Sequence, residues 1–260
     1  MSTGCLRVLL EGPIGYVLLD NPARRNAISA EMWRAFPAVI EALNAESAVR
    51  CLVLRGAGEV AFAAGADISE FAENRSTEAG ARAYEAAILA AHQAIEASPK
   101  PVIAQIQGFC IGGGLAIALS CDLRYCADDS QFAIPAARLG IGYGIQGHRR
   151  LVATVGQAKA REILFTARRY DAAGAQAMGL VHQVLPVAGL VAHVRALAHE
   201  LAANAPLSQA ASKAAINALT AGTQDFSEAE TLVRRCAQSE DYREGRTAFM
   251  EKRRPQFHGR

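Results

Sequence analysis

Three consecutive glycines, Gly112, Gly113 and Gly114, stand where a buried-strand pattern changes into a helix pattern. Glycine in a helix interior is about 1 kcal/mol less favourable than alanine, so this turn must need backbone without side chains. The first N–H groups of a helix have no partner within it, and the helix dipole adds positive potential there. The triplet therefore predicts a turn that holds a negatively charged ligand oxygen, and close helix–strand packing is the alternative.

The elements that position this turn follow from the hydrophobic pattern. Residues 6–10 and 16–19 predict a β-hairpin, and residues 51–54 and 102–106 predict strands that are buried on both faces. A second Ala/Gly-rich turn spans residues 61–68, and a long helix is expected over residues 78–97. Pro37 lies inside a helix pattern that Ser29 can cap, so we expect a kink or a break near residues 33–36.

The remainder of the chain predicts short strands at 123–127 and 131–134, then helices and short strands up to residue 185. From residue 189 the pattern is helical, in segments near 190–203, 207–221 and 226–239, and it ends in a charged tail at 251–254. These segments are apolar at positions such as Leu190, Val194 and Val233, which favours association between chains. The sequence thus predicts an α/β core over residues 1–188 and a helical oligomerisation segment over residues 189–260.

Composition excludes several classes of function. The formal net charge is +2 with charges mixed along the chain, so no electrostatic surface for nucleic acid is indicated. The longest apolar stretch, residues 111–119, is far shorter than the roughly 20 residues of a membrane span, and we expect no secretory signal. Six cysteines lack metal-ligand spacing and are expected to be reduced. We expect a cytoplasmic protein without a metal site.

One glycine motif matches the residue spacing of a nucleotide-binding fingerprint but lacks the structural context that the fingerprint needs. Gly142-x-Gly-x-x-Gly147 needs a buried strand before it and an acidic residue on a second strand. Pro135-Ala-Ala-Arg precedes the motif instead, and Glu162 lies in a helix pattern. No phosphate-binding P-loop and no GxSxG nucleophile motif is present either. The motif is therefore interpreted as a loop.

Two motifs, Phe62-Ala-Ala-Gly-Ala-Asp-Ile68 and the segment from Pro101 to Gly114, are separated by a long predicted helix. Together they resemble the signature of the enoyl-CoA hydratase/isomerase, or crotonase, superfamily. Further matches at Asn26-Ala27, Cys121-Asp122, Leu139-Gly140, 177–181 and 244–253 extend the resemblance over nearly the whole chain. It implies a ββα spiral core, a helical C-terminal segment that builds a trimer or hexamer, an acyl-CoA thioester substrate and no separate cofactor.

The resemblance also implies the site residues. The backbone N–H groups of Ala66 and Gly113 would form an oxyanion hole for the thioester carbonyl. This agrees with the prediction that the glycine turn holds a negatively charged ligand oxygen. Tyr143 would be a catalytic residue near the acyl group. The residues implied in CoA or acyl-group binding are Arg24, Arg25, Ala27, Ala64, Asp67, Ile68, Gly112, Ala136 and Leu139.

The sequence departs from the superfamily at two acid–base positions. Hydratases carry glutamates where this chain has Ala116 and Ala136, and losing a general acid or base typically costs about 10²–10⁴-fold. The methylmalonyl-CoA decarboxylase branch chiefly needs an oxyanion hole, because loss of CO₂ itself generates the enolate. Leu139-Gly-Ile-Gly-Tyr143 is similar to the segment that brings a tyrosine near the acyl group in that branch, but that branch has a histidine where this chain has Ala66, and a glutamate where it has Ala116. Tyr143 is a proton donor, an orienting group or a pocket wall.

The sequence therefore predicts a crotonase-fold lyase or isomerase that acts on an acyl-CoA thioester through an enolate, with a decarboxylase-like reaction as one form. The first alternative is an enoyl-CoA hydratase of fatty-acid or branched-chain metabolism whose acid and base come from Tyr143, His148 or Asp67. The second is a non-catalytic member that binds acyl-CoA or RNA.

Overall fold

The chain alternates between two β-sheets in a computed structural model that describes residues 4–70 and 76–260. The larger sheet has the strand order β1-β2-β3-β5-β7-β10, and the smaller has the order β4-β6-β8-β9. The strands are β1 (Cys5–Glu11), β2 (Ile14–Asp20), β3 (Cys51–Gly56), β4 (Ala61–Ala63), β5 (Val102–Ile106), β6 (Phe109–Ile111), β7 (Leu123–Ala127), β8 (Gln131–Ala133), β9 (Tyr170–Asp171) and β10 (Gln183–Leu185).

Strand pairing shows how the chain advances. β1 and β2 form the predicted antiparallel hairpin, with Leu10 opposite Gly15, and the other neighbours in the larger sheet are parallel. The pairs β3–β4, β5–β6 and β7–β8 each place one strand in each sheet, and each pair is followed by helix. Every such ββα unit adds one strand to both sheets, which produces a spiral.

The helices cover both faces of the larger sheet. They are α1 (Ala30–Ala45), α2 (Glu78–Ala97), α3 (Gly113–Ser120), α4 (Ala136–Leu139), α5 (Ile145–Thr166), α6 (Ala172–Ala177), α7 (Val187–Ala203), α8 (Pro206–Ala221), α9 (Ser227–Gln238) and α10 (Glu240–Glu251). Alternate residues of β3 point to opposite sides, so that Leu52 packs in the main core while Val53 packs in a second core beneath α7. The predicted burial of this strand on both faces is confirmed. In the part of the chain that the structure describes, no helix is long and apolar enough to cross a membrane.

Helix α1 corrects one expectation. Ser29 caps it as predicted, with its Oγ accepting from Met32 N at 3.2 Å, but the helix is continuous from Ala30 to Ala45, so it has no break near residues 33–36. Proline removes only one helical hydrogen bond. The buried side chains Trp33 and Ile40, on either side of it, hold the helix against the core.

The C-terminal helices are partly core elements of the same chain. Leu190 and Val194 on α7 are fully buried against the larger sheet, so their apolar character does not itself indicate another chain. Lys213 on α8 pairs with Asp122 at 2.8 Å and ties that helix to the end of α3. The sequence analysis missed α10, which begins beyond Ser239, where the Ser239 Oγ accepts from Tyr242 N at 2.9 Å.

The three glycines of the turn have different structural reasons. Gly112 has φ +51° and ψ −114°, a conformation that L side chains rarely adopt. A Cβ on Gly114 would lie 2.4 Å from the carbonyl oxygen of Ala63 on β4. The packing interpretation is therefore right for Gly114, while Gly113 contacts the candidate site described below.

Gly114→Ala tests this close approach. We expect a loss of about 1–3 kcal/mol in the free energy of unfolding, because the overpacked methyl group must displace backbone and outweighs the better helix propensity of alanine. Urea denaturation measures it. Gly142→Ala is the matched control, because no atom lies within 4 Å of the added Cβ. Equal stability of the two variants would contradict the close-packing explanation.

Candidate active site

The two turns predicted from glycine and alanine content, at residues 61–68 and 112–114, lie side by side in the structure. A Cβ placed on Gly113, the first residue of α3, would lie 3.3 Å from Ala66 N and 3.6 Å from the carbonyl carbon of Gly65. The residues around Ala66 pair with a neighbouring segment, since Ile28 N donates to Gly65 O at 2.8 Å and Asp67 N donates to Ile28 O at 2.9 Å. This pairing fixes the backbone that carries Ala66 beside the start of α3.

The N–H groups of Ala66 and Gly113 are unpaired within the part of the chain that the structure describes. Gly112 N donates to Ala133 O at 2.8 Å, and the first bond of α3 runs from Ala116 N to Gly112 O at 2.9 Å. Among the described residues, neither Ala66 N–H nor Gly113 N–H donates a hydrogen bond to a protein atom. Two adjacent unpaired donors at the positive end of a helix dipole are suited to stabilise an oxygen on which negative charge develops.

Charged side chains hold the loop that follows Ala66. Both oxygens of Asp67 accept from Arg24 Nη1, at 2.7 and 2.6 Å, and Ser69 donates to Oδ1 from N at 3.0 Å and from Oγ at 2.7 Å. Burial alone would raise the pKa of the Asp67 carboxyl, but the hydrogen bonds from Ser69 and Arg24 outweigh burial and lower it. In this state Asp67 is an anion with its oxygens occupied. Two residues that the resemblance implied in CoA binding thus bind each other.

The other implied binding residues differ in their burial and contacts. Ala64 N donates to Arg25 O at 3.0 Å, so these two residues are adjacent. Ala27 is buried, while Ile68 and Leu139 are 60% and 51% exposed apolar side chains. Gly112 caps α3.

Arg25 belongs to a cationic surface whose second arginine, Arg169, was not predicted from the sequence. The Arg25 guanidinium lies 4.9 Å from the centroid of the Phe109 ring, and Arg169 lies 5.7 Å from the same centroid. Both side chains are held by cation–π contact. The two arginines are 144 positions apart in the sequence, so only the fold brings them to one ring.

Tyr143 has a buried hydroxyl group. No atom of the described residues forms a hydrogen bond with its Oη, and burial raises the pKa of this hydroxyl to about 12. The His148 ring meets the Tyr143 ring edge-on at 5.4 Å, and His148 Nδ1 lies 3.1 Å from Gly144 O. His148 therefore packs and caps locally, while Tyr143 keeps an unused donor that stays protonated at neutral pH.

The two positions that carry glutamate in hydratases present methyl groups here. Ala116 is buried on α3, and Ala136 begins α4 and packs against the main core. Behind Ala116 lies a buried polar pair that sequence analysis missed, in which His92 Nδ1 is 2.9 Å from Ser120 Oγ. Burial and, to a smaller extent, the charge of Arg150 lower the pKa of His92 to about 3, so this ring is neutral.

Comparisons with known proteins agree over the whole chain. The sequence profile of the family described as Enoyl-CoA hydratase/isomerase matches residues 10–260. The chain belongs to the enoyl-CoA hydratase/isomerase family. A short-chain-enoyl-CoA hydratase of Clostridium acetobutylicum is 34% identical over 253 residues, which covers 94% of each chain. A crotonyl-CoA hydratase of Syntrophomonas wolfei is 34% identical over 252 residues, which covers 95% of each.

A solved structure supports the fold of this family member. The crystal structure of an enoyl-CoA hydratase/carnithine racemase from Magnetospirillum magneticum matches with a TM-score of 0.94 and 36% identity, and covers 100% of this chain and 97% of that one. The crotonase-like α/β fold with C-terminal helices, expected from the sequence, is thereby confirmed. As an enoyl-CoA hydratase/isomerase family enzyme, the protein acts on acyl-CoA.

Proposed function

We propose that the protein stabilises a thioester enolate of its acyl-CoA substrate with the N–H groups of Ala66 and Gly113, without carboxylates at positions 116 and 136. The observation that carries this proposal is the pair of unpaired N–H donors at the start of α3. Donors aimed at developing charge lower the barrier because they bind the transition state more tightly than the substrate. No cofactor beyond the CoA of the substrate is needed for this step.

Decarboxylation of a 2-carboxyacyl-CoA is the reaction that these residues suit best. The bond between C2 and the carboxylate breaks, its electron pair forms the enolate, and CO₂ leaves. A proton must then reach C2, and the Tyr143 hydroxyl, which is protonated at neutral pH, is a buried donor in this part of the fold. Neither step requires a carboxylate as base, so Ala116 and Ala136 are compatible with it.

Hydration is the second candidate, because the relatives above are named hydratases. It requires a positioned base for water and an acid for C2. Asp67 has a lowered pKa and is paired with Arg24 and Ser69, and His148 contacts Gly144 O, so both are occupied. A non-catalytic acyl-CoA-binding or RNA-binding protein is the third candidate.

A panel of acyl-CoA thioesters tests the reaction. We expect CO₂ release from a 2-carboxyacyl-CoA and hydration of crotonyl-CoA that is at least about 10²-fold slower than in a hydratase with both glutamates. Carbon dioxide, absorbance of the enoyl thioester and free thiol are followed separately. Ala116→Glu with Ala136→Glu should raise hydration more than either change alone, because acid and base act together. Fast hydration by the unaltered protein would exclude this proposal in favour of the hydratase, and binding without turnover would favour the third candidate.

Two substitutions at Gly113 isolate the contribution of its N–H. Both Gly113→Ala and Gly113→Pro add a Cβ that meets Trp33 Cζ2 at 3.2 Å and Ala66 N at 3.3 Å, but only proline removes the N–H. Proline is tolerated at the first position of a helix. We expect turnover of Gly113→Pro to be about 10²–10³-fold below that of Gly113→Ala, as for other oxyanion donors. Circular dichroism and calorimetry with free CoA check fold and affinity. Equal turnover of the two folded variants would remove Gly113 N–H from the mechanism.

We also propose that the C-terminal helices assemble the chain into a homotrimer or hexamer. The support is a set of exposed apolar side chains on α8, α9 and α10, rather than the buried residues of α7. These side chains are Ile216, Leu219, Val233, Phe249 and Met250. We expect light scattering to give the mass of three or six chains. A monomer at micromolar concentration would overturn this proposal.

A further inference from the structure

An unpaired hydrogen-bond donor lies in the core directly beside the glycine turn. Trp33 is 1% exposed, and no atom among residues 4–70 and 76–260 accepts a hydrogen bond from its Nε1. A buried N–H without an acceptor costs about 1–3 kcal/mol, so such a group in a well-packed core requires a reason. Binding of a ligand oxygen is one such reason.

The position of the indole ring connects it to the candidate site. Trp33 Cζ2 lies 3.2 Å from the place where a Cβ on Gly113 would be, and that same place is 3.3 Å from Ala66 N. Nε1 is two bonds from Cζ2 in the indole, so the N–H belongs to the ring edge that approaches Gly113. The unpaired indole N–H thus adjoins the two unpaired backbone N–H groups.

A buried polar pair lies next to the indole ring. The Trp33 and His92 rings are 5.5 Å apart, and Ser120 Oγ donates to Ala116 O at 3.1 Å. That bond uses the single hydrogen of the Ser120 hydroxyl, so Ser120 accepts from His92 Nδ1, and the neutral ring has no hydrogen on Nε2. His92 therefore adds no donor and no positive charge, and it supports Trp33 as a neutral aromatic neighbour.

A second unpaired donor lies in the same part of the fold. The charge of Arg150 acts on the pKa of both His92 and Tyr143, so both side chains lie near one guanidinium group. Like the Trp33 N–H, the buried Tyr143 hydroxyl has no hydrogen-bond partner among the described residues. Ala116 and Ala136 offer no side-chain acceptor to either donor. This part of the fold therefore provides donors for which a ligand must supply the acceptor.

We propose that Trp33 is a specificity-determining residue whose indole N–H donates a hydrogen bond to a carboxylate oxygen on the acyl group of the substrate. This inference rests on the proposed acyl-CoA site at Ala66 and Gly113. An acyl group with an alkyl chain alone would leave the N–H buried and unpaired, whereas a carboxylate satisfies it. Sites built around a substrate hydrogen bond discriminate strongly against analogues that lack the acceptor.

The test compares two ligands and two variants by calorimetry. Sulfoacetyl-CoA carries an anionic group on C2 that cannot leave as CO₂, and propionyl-CoA carries an uncharged methyl group at the same position. Trp33→Phe keeps an aromatic ring and removes the N–H, so we expect about 10- to 100-fold weaker binding of sulfoacetyl-CoA and less than 3-fold change for propionyl-CoA. Phe36→Leu is the control, because Phe36 packs 6.2 Å from Trp33 and its loss disturbs the ring without removing the donor.

The outcomes separate this inference from the proposed function. Loss of affinity for both ligands alike, or for neither, in folded Trp33→Phe would overturn the donor role while leaving the acyl-CoA site intact. If the unaltered protein binds neither ligand, the acyl-CoA site and the donor role both fail. A selective loss in Phe36→Leu equal to that in Trp33→Phe would assign the effect to packing and would also overturn it.

A measurement on the unaltered chain makes the test independent of whether Trp33→Phe folds. Trp33 is the only tryptophan in the sequence, so protein labelled with ¹⁵N at the indole gives a single indole N–H resonance. We expect this resonance to move downfield when sulfoacetyl-CoA binds and to stay in place with propionyl-CoA or free CoA. A resonance that stays in place under saturating sulfoacetyl-CoA would exclude the hydrogen bond.

Discussion

The contact on which the site depends is the approach of two backbones that leave no room for a side chain between them. Gly114 brings α3 onto β4, where a Cβ would meet the Ala63 carbonyl at 2.4 Å. This approach places the first N–H of α3 beside Ala66 N, because Ala66 follows β4 by only three residues. The arrangement needs glycine for geometric reasons, and the two unpaired donors follow from it. Close packing therefore explains Gly114, and the proposed oxyanion role explains Gly113.

A network of charges holds the backbone that carries the Ala66 N–H next to the Gly113 N–H. The loop after β4 has little regular structure, so side chains must fix its backbone. Arg24 and Ser69 bind Asp67, and Glu70 Oε2 accepts from Ala30 N at 2.7 Å, the first N–H of α1. A carboxylate at that position also complements the helix dipole. The position of Ala66 thus depends both on the backbone pairing with Ile28 and on the ion pair next to it, and loss of the Asp67 charge would disturb the proposed oxyanion hole without removing a donor.

The elements predicted correctly are those that local sequence patterns determine. The hairpin, β3, β5 and α2 are where hydrophobic periodicity and proline placed them, and both bare-backbone turns were recognised from glycine and alanine content. Local pattern does not say which sheet a three-residue strand joins, so the division of β4, β6 and β8 into a second sheet was not predicted. A helix break near residues 33–36 did not occur, because packing outweighs the one hydrogen bond that Pro37 removes.

The polar residues beside the turn were missed for a related reason. Trp33, His92 and Ser120 lie on α1, α2 and α3, each alone within an apolar face, and a lone polar residue in such a face gives no signal until the helices are packed. A resemblance to a family transfers only the positions that its motifs contain. The hydrogen-bonding groups of these three side chains set them apart chemically, but they do not alter the hydrophobic periodicity from which the helices are predicted.

Burial keeps two titratable groups of this region, Tyr143 and His92, in their neutral forms. It raises the pKa of Tyr143 and lowers the pKa of His92, and alanines replace the two carboxylates that would otherwise carry charge. The groups that remain to act on a substrate are N–H and O–H dipoles, which do not change protonation state near neutral pH. Such dipoles stabilise charge that the substrate itself generates, but they cannot remove a proton from water. The proposed site is therefore better suited to a reaction in which the substrate supplies its own electron pair than to one that needs a general base.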